Sequence, residues 1–189
     1  MFSKTLFISV PTIFALVAHQ GNGAEQRHAE AHVHGTAEIN IVVEGKKVVV
    51  EFHTPAEGVM GFEHEARTAG DKKKRDAAMK IINDRFNDLI AFDRKAGCKM
   101  VSAKAQIVRG GEEEHKDKSH ATEHREVSGE HSEVQAVYQV ECERSPAGTK
   151  VTFGISKLFP NIHEIKVQVL SDSKQTGVTI KNDRGAAEL

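Results

Sequence analysis

The 189-residue sequence has no Trp, a single Tyr, two Cys and four Pro, and its formal charge is only −1 with His neutral. Each shortage excludes something. Without a basic excess, nothing argues for nucleic acid as a partner. Two cysteines, at Cys98 and Cys142, cannot form the close thiolate pairs usual in Cys-based zinc sites. No apolar run reaches the roughly 20 residues that a membrane-spanning helix needs, so stable membrane insertion is not expected. The chain is also shorter than the about 250 residues of an eight-fold α/β barrel. GxSxG and a phosphate-cradling loop are both missing, and no Cys has a plausible catalytic partner. His64-Glu65 begins like a zincin helix, but Thr68 stands where the second His would be required.

Against these absences stand eleven His, more than all aromatic residues combined. The N-terminus indicates where they act. Residues 1–4 carry one positive charge, residues 5–18 are apolar and interrupted by Pro11, and small polar residues follow to Ala24. This is the pattern of a secretory signal peptide over residues 1–24, with the cut after Ala18 or Ala24; the alternative is an uncleaved anchor. Residues 25–189 would then form one exported domain, in a bacterium a periplasmic one. An even Cys count suits an oxidising compartment. A Cys98–Cys142 disulfide is the expected pairing, with two free thiols or two metal ligands as alternatives.

From Thr36 the pattern has period two, with Ala37, Ile39, Ile41 and Val43 on one face. Glu44-Gly45-Lys46 reads as a hairpin turn into a second strand with Val48, Val50 and Phe52, stopped at Thr54-Pro55. Residues 71–96 switch to helical spacing, with Ala78, Ile82, Phe86 and Leu89 on one stripe, Asp71 as a candidate cap and Gly97 as the stop. A strand is expected over 98–108, with Val101, Ala103, Ala105 and Ile107 sharing a face, and a returning strand formed by Val134, Ala136, Tyr138, Val140 and Cys142. Shorter strands follow near 150–153, 165–170 and 177–180, with a brief turn or helix at 156–159. Between the two Cys-bearing strands, residues 112–133 hold four His, eight acids and three bases, with almost nothing apolar. Such a stretch cannot bury a core, so residues 109–133 read as a mobile His/Glu-rich loop. The expected class is α+β: antiparallel sheet packed by one long α-helix, with that disordered insertion between strands.

The histidines fall into constellations. His32 and His34 flank Val33, and in an extended segment residues two apart face the same side, so both imidazoles can reach one ion. His53, at a strand end, and His64, beside Glu63 and Glu65 in the next loop, can be brought near that pair. The insertion supplies His115, His120, His124 and His131, of which His120 and His124 are spaced to align on a helical turn. Solvated surface histidines are the plain alternative for each. Imidazole with carboxylate suits zinc, with copper and nickel as competitors. His163, at a strand start, reads as structural.

The string Ala31-His32-Val33-His34-Gly35, then Phe52-His53-Thr54-Pro55-Ala56-Glu57 and Gly61-Phe62-Glu63-His64, resembles the ZrgA-type periplasmic zinc-uptake proteins. The likeness continues through a Cys after the helix, a His-rich centre, Tyr138 to Cys142, and Leu158-Phe159-Pro160. It implies zinc binding in support of uptake, beside an ABC-type zinc importer or its periplasmic binding protein. Where family members often have Ser before the Pro, this chain has Thr54. Two classes of zinc site are therefore expected, an ordered one drawing on His32, His34, His53 and His64, with Glu63, and a weaker one in the insertion. An adaptor or metal chaperone docking to an envelope partner is the alternative reading, and a zinc hydrolase a third.

Overall fold

The computed structural model describes residues 33–109 and 131–189, Ser173 excepted. The expected signal peptide, His28, His32, His115, His120 and His124 lie outside the described residues. The first hairpin forms as its alternation requires: β1 (Thr36–Glu44) and β2 (Lys47–Pro55) pair antiparallel, Ile41 opposite Val50. Their inward residues Ala37, Ile39, Ile41, Val48 and Val50 are all essentially inaccessible to solvent. Pro55, which has no N–H to donate, ends β2 and leads into the short helix α1 (Ala56–Met60).

The long helix α2 (Ala69–Asp84) is shorter than the helical spacing suggests. Thr68, rather than Asp71, is its N-cap. The Thr68 hydroxyl accepts from the Asp71 N–H at 3.1 Å, and the Asp71 carboxylate accepts from the Thr68 N–H at 3.2 Å, a reciprocal capping box. At the other end Arg85 leaves helical dihedrals (φ −111°, ψ 38°). A single turn, α3 (Phe86–Leu89), and a three-residue strand, β3 (Ile90–Phe92), follow. The apolar stripe nevertheless survives this break: Ala78, Ile82, Phe86 and Leu89 are all buried. Backbone pairing of Ile90–Phe92 with Phe153–Val151 replaces the helical bonds that would have continued. Gly97, at φ 65°, caps only the 3-10 turn Arg94–Ala96.

The remaining strands are β4 (Lys99–Arg109), β5 (Ser132–Glu141), β6 (Lys150–Phe153), β7 (Glu164–Ser171), β8 (Lys174–Lys181) and β9 (Ala186–Glu188), with helix α4 (Ile155–Leu158) after β6. They assemble into a six-stranded sheet, β4-β5-β2-β1-β7-β8, and a three-stranded sheet, β3-β6-β9. The class is α+β as expected, and one pair, β1 with β7, is parallel. Such a pair needs a long crossover, and here everything from β2 to α4 supplies it. The buried faces of both sheets, the stripe of α2 and α3, and Ile155 and Ile162 form one core. At its centre the Tyr138 hydroxyl donates to the Ile82 carbonyl at 2.8 Å. Burial pushes the Tyr138 phenol well above its ordinary pKa.

Strand β4 departs from simple alternation. The register slips between Met100 and Ser102, and Val101 is turned out to 58% exposure instead of sharing a face with Ala103 and Ala105. Residues 110–130 fall between the paired ends of β4 and β5, where Arg109 lies opposite Ser132. The expected loop over 109–133 therefore loses both margins: Arg109, Ser132 and Glu133 are strand residues. The cysteines are joined at the far end of the same pair, Cys98 just before β4 and Cys142 just after β5, by a disulfide. No described helix is long and apolar enough to cross a membrane.

Candidate metal centre

Three stretches of backbone converge at the start of β1 and β5. The first is Val33-His34-Gly35. Gly35 adopts φ 79°, and its carbonyl accepts from the N–H groups of His163 (2.9 Å) and Glu164 (3.1 Å), which pins the lead-in to β7. A side chain here is excluded twice over. A Cβ on Gly35 would sit 2.0 Å from Cε1 of His163, and the positive φ favours glycine. His163 thus serves as the surface on which the His34 turn rests, in keeping with its structural reading.

The second stretch is α1 and its exit. Glu57 lies in the first turn after Pro55, and Gly61 (φ 80°) closes the helix, so that Phe62 turns into the core and Glu63 away from it. Buried Thr54 steadies this corner, its hydroxyl donating to the Thr36 carbonyl at 3.1 Å. The third is His131-Ser132, entering β5. The Ser132 hydroxyl donates to the Glu63 carbonyl at 2.5 Å, tying the second stretch to the third.

On this scaffold His34, Glu57 and Glu63 place ligand atoms within 4.8 Å of one another. His34 Nδ1 is hydrogen-bonded to Glu57 Oε2 and lies 3.8 Å from Glu63 Oε1. His131 Nδ1 is 2.5 Å from the other oxygen of Glu63. Glu63 is therefore the hub, one oxygen toward each imidazole. It is also the most enclosed of the four, with its side chain 14% exposed against 46% for Glu57, 62% for His34 and 59% for His131. Zinc bonded at about 2.0–2.1 Å in a tetrahedron needs donor atoms about 3.3 Å apart. The separations among His34, Glu57 and Glu63 bracket that value. One imidazole nitrogen and two carboxylates form a donor set that could hold zinc, copper or nickel, and His131 adjoins it through Glu63. Both cysteines are consumed by the disulfide and contribute no thiolate.

Of the residues singled out in the sequence, the structure brings together His34, Glu63 and His131. His53 projects from β2 on the face opposite Phe52, in register between Glu38 and Gln135, and is not among the converging donors. His64 turns the other way from Glu63. Its ring stacks on Phe62 at 4.8 Å, Nδ1 donates to the Glu65 carbonyl at 3.0 Å, and with Arg75 and Arg109 it lines a separate open cavity of about 540 Å³. Beside it, the Arg67 hydrogen bond, helped by the charge of Arg109, holds the Glu65 carboxyl below its usual range. Glu57 does not stand out as a ligand in the sequence, because an acid in the first turn of a helix looks like an ordinary dipole partner. Its signal was the spacing Thr54-Pro55-Ala56-Glu57, where a strand-ending Pro fixes the entry of the next turn.

Residues 31–189 match the family model described as "ZrgA family zinc uptake protein". The chain belongs to the ZrgA family. The matched span covers all the converging donors and the disulfide, and the family is one of zinc uptake, a transport-related rather than a catalytic role. No curated protein is similar enough to count as a match.

Proposed function

We infer that this ZrgA-family chain is exported to the periplasm and captures zinc there through His34, Glu57, Glu63 and His131. The observation that carries this is the convergence of the His34 imidazole with the Glu57 and Glu63 carboxylates in a member of a zinc-uptake family, with His131 held against Glu63 at 2.5 Å as the proposed fourth donor. The disulfide fits an oxidising compartment. The protein holds and passes on an ion rather than turning over a substrate, and its downstream partner is an ABC-type zinc importer or that importer's periplasmic binding protein. His115, His120 and His124 add a second, weaker class of zinc sites. Of the other histidines expected in the ordered site, His53 and His64 are not among the converging ligand atoms, and His32 is proposed as a further donor.

Isothermal calorimetry separates the classes. A variant lacking residues 112–130 should keep one tight zinc equivalent and lose weak ones, because the deletion spares His131 and Ser132. Replacing His34 and His131 by Ala should remove the tight equivalent and leave the weak ones. If the double replacement leaves the tight equivalent in place, this site is not the zinc site. Unchanged stoichiometry after the deletion would remove the weaker class.

A further inference from the structure

The stretch that carries Glu63 to the metal centre also borders the open cavity of about 540 Å³. Met60, Phe62 and Ile107 give that cavity an apolar lining, while Arg75 from α2 and Arg109 from the end of β4 bring guanidinium groups to it. Among its described lining residues Glu65 is the only acid, and it is shared by Arg67 at 3.2 Å and Arg109 at 3.5 Å. Arg75 pairs with Asp76, its neighbour in sequence, which does not line the cavity. The surrounding segment has the same sign: residues 67–109 hold twelve cations and five acids in a chain whose formal charge is −1. Such a concentration of one charge attracts the opposite one.

The wall formed by β4 has a second property. β4 is the last strand of its sheet, flanked by β5 on one side and, among the described residues, by no strand on the other. Successive side chains of a strand point to opposite faces, yet Ile107, Val108 and Arg109 all line the cavity. The cavity therefore lies along the strand's edge rather than against one face. An open edge of eleven residues is a template for another strand. Lys99, Lys104 and Arg109, with no acid in β4, oppose its pairing with a second copy of itself and favour an acidic chain instead.

We propose that this cavity and the adjoining edge of β4 seat an extended acidic segment of a partner protein. Its backbone pairs with β4 near Val108, a carboxylate lies between Arg75 and Arg109, and an apolar side chain packs on Phe62 and Ile107. The proposal does not depend on the zinc reading. A partner seated here nevertheless lies beside the converging donors, because Ser132 both lines the cavity and donates to the Glu63 carbonyl.

The probe is a fluorescein-labelled octapeptide, Glu-Glu-Leu-Leu repeated twice, which puts acid and leucine on each face of an extended chain. It is titrated with the metal-free full exported chain at low salt and followed by fluorescence anisotropy. Saturable binding is expected, with none to a counterpart carrying lysine in place of glutamate; no binding of the acidic peptide overturns the proposal. Arg75→Ala/Arg109→Ala should weaken binding about tenfold or more. Lys73→Ala/Lys104→Ala removes the same charge from residues that do not line the cavity and should weaken it by less than about threefold. Equal weakening by the two pairs means diffuse attraction to a basic surface, and the cavity is then not the site. Val108→Glu, at an exposed position of the wall, keeps the test open if the arginine pair fails to fold; it should repel the peptide, and unchanged affinity counts against the cavity. Methylating the leucine amide nitrogens of the peptide should weaken binding about fivefold or more, and no effect would rule out strand pairing. A variant lacking residues 112–130 should bind within about threefold of the unmodified chain. Binding about tenfold tighter would make the chain's own Glu112–Glu114 run the occupant and exclude the partner segment.

Discussion

The two ends of the β4–β5 pair are closed in opposite ways. At one end Cys98 and Cys142 are covalently joined, and the backbone continues the pairing, Glu143 and Arg144 donating to the carbonyls of Gly97 and Ala96. At the other end both strands are tied instead to the Glu63–Glu65 stretch, by His131 with Glu63, Ser132 with the Glu63 carbonyl, and Arg109 with Glu65 at 3.5 Å. The first closure is indifferent to metal and to mild acid, whereas the second is made of groups that a metal or a proton can claim. One long hairpin thereby acts as a fixed lever whose other end carries His131, proposed above as a zinc ligand. The ligand end need not be rigid on its own account, because the sheet and the disulfide set its position.

The largest effect should come from the covalent end. Replacing both cysteines by Ser opens a loop of 44 residues' separation and should cost about 4 kcal/mol in urea unfolding, by the chain-entropy estimate. Zinc stoichiometry of the folded fraction should be unchanged, since no thiol ligates. A lost zinc equivalent would mean that the ends are coupled more tightly than the comparison allows. Next comes Gly35→Ala at the ligand end. Positive φ and the collision with His163 together should cost roughly 2 kcal/mol and shift the His34 turn, weakening zinc binding as well as folding. Unfolding and calorimetry on the same variant check both parts. If stability falls while affinity holds, His34 is not positioned by that turn. Glu63→Gln should act almost wholly on the metal, lowering zinc affinity roughly tenfold or more, about 1.4 kcal/mol, with little change in the unfolding midpoint. A large loss of stability would instead make Glu63 part of the fold's own closure.

Much of the fold was legible because burial repeats. Ala37, Ile39 and Ile41 alternate since one face of β1 meets the core, and Ala78, Ile82, Phe86 and Leu89 keep a stripe since that side meets the sheet. The stripe also misled. Burial continues across Arg85 while the backbone does not, so side-chain periodicity alone extended the helix to residue 96. Strands of three residues, β3 and β9, are too short to display a period, and the parallel partnership of β1 with β7 is a tertiary choice with no local mark. The site divided similarly. His34 and Glu63 stand out by residue type and neighbours, whereas composition groups His131 with the insertion. Its place beside Glu63 follows from lying one residue before β5, which only the pairing of Arg109 with Ser132 reveals.

The smallest effect tests whether the segment carrying Glu63 is set by the helix that follows it. Thr68 begins α2 three residues after Glu65, and its capping box could anchor the Phe62–Arg67 stretch as well as the helix. The hydrogen bond from the Thr68 side chain comes first among the influences that hold the Asp71 carboxyl below its usual range. A carboxyl so lowered adds stability that is complete above its unfolded-state pKa and disappears as pH falls through the folded value. Thr68→Ala should therefore cost about 1 kcal/mol at neutral pH. It should also return the Asp71 titration, followed by NMR, toward the ordinary range, and reduce the stability lost on acidification. Zinc affinity should stay within about twofold, because Ser132 and Gly61 hold Glu63 without help from the cap. If affinity falls tenfold instead, the ligand end owes its geometry to α2 as much as to β5, and the lever has two fixed points rather than one.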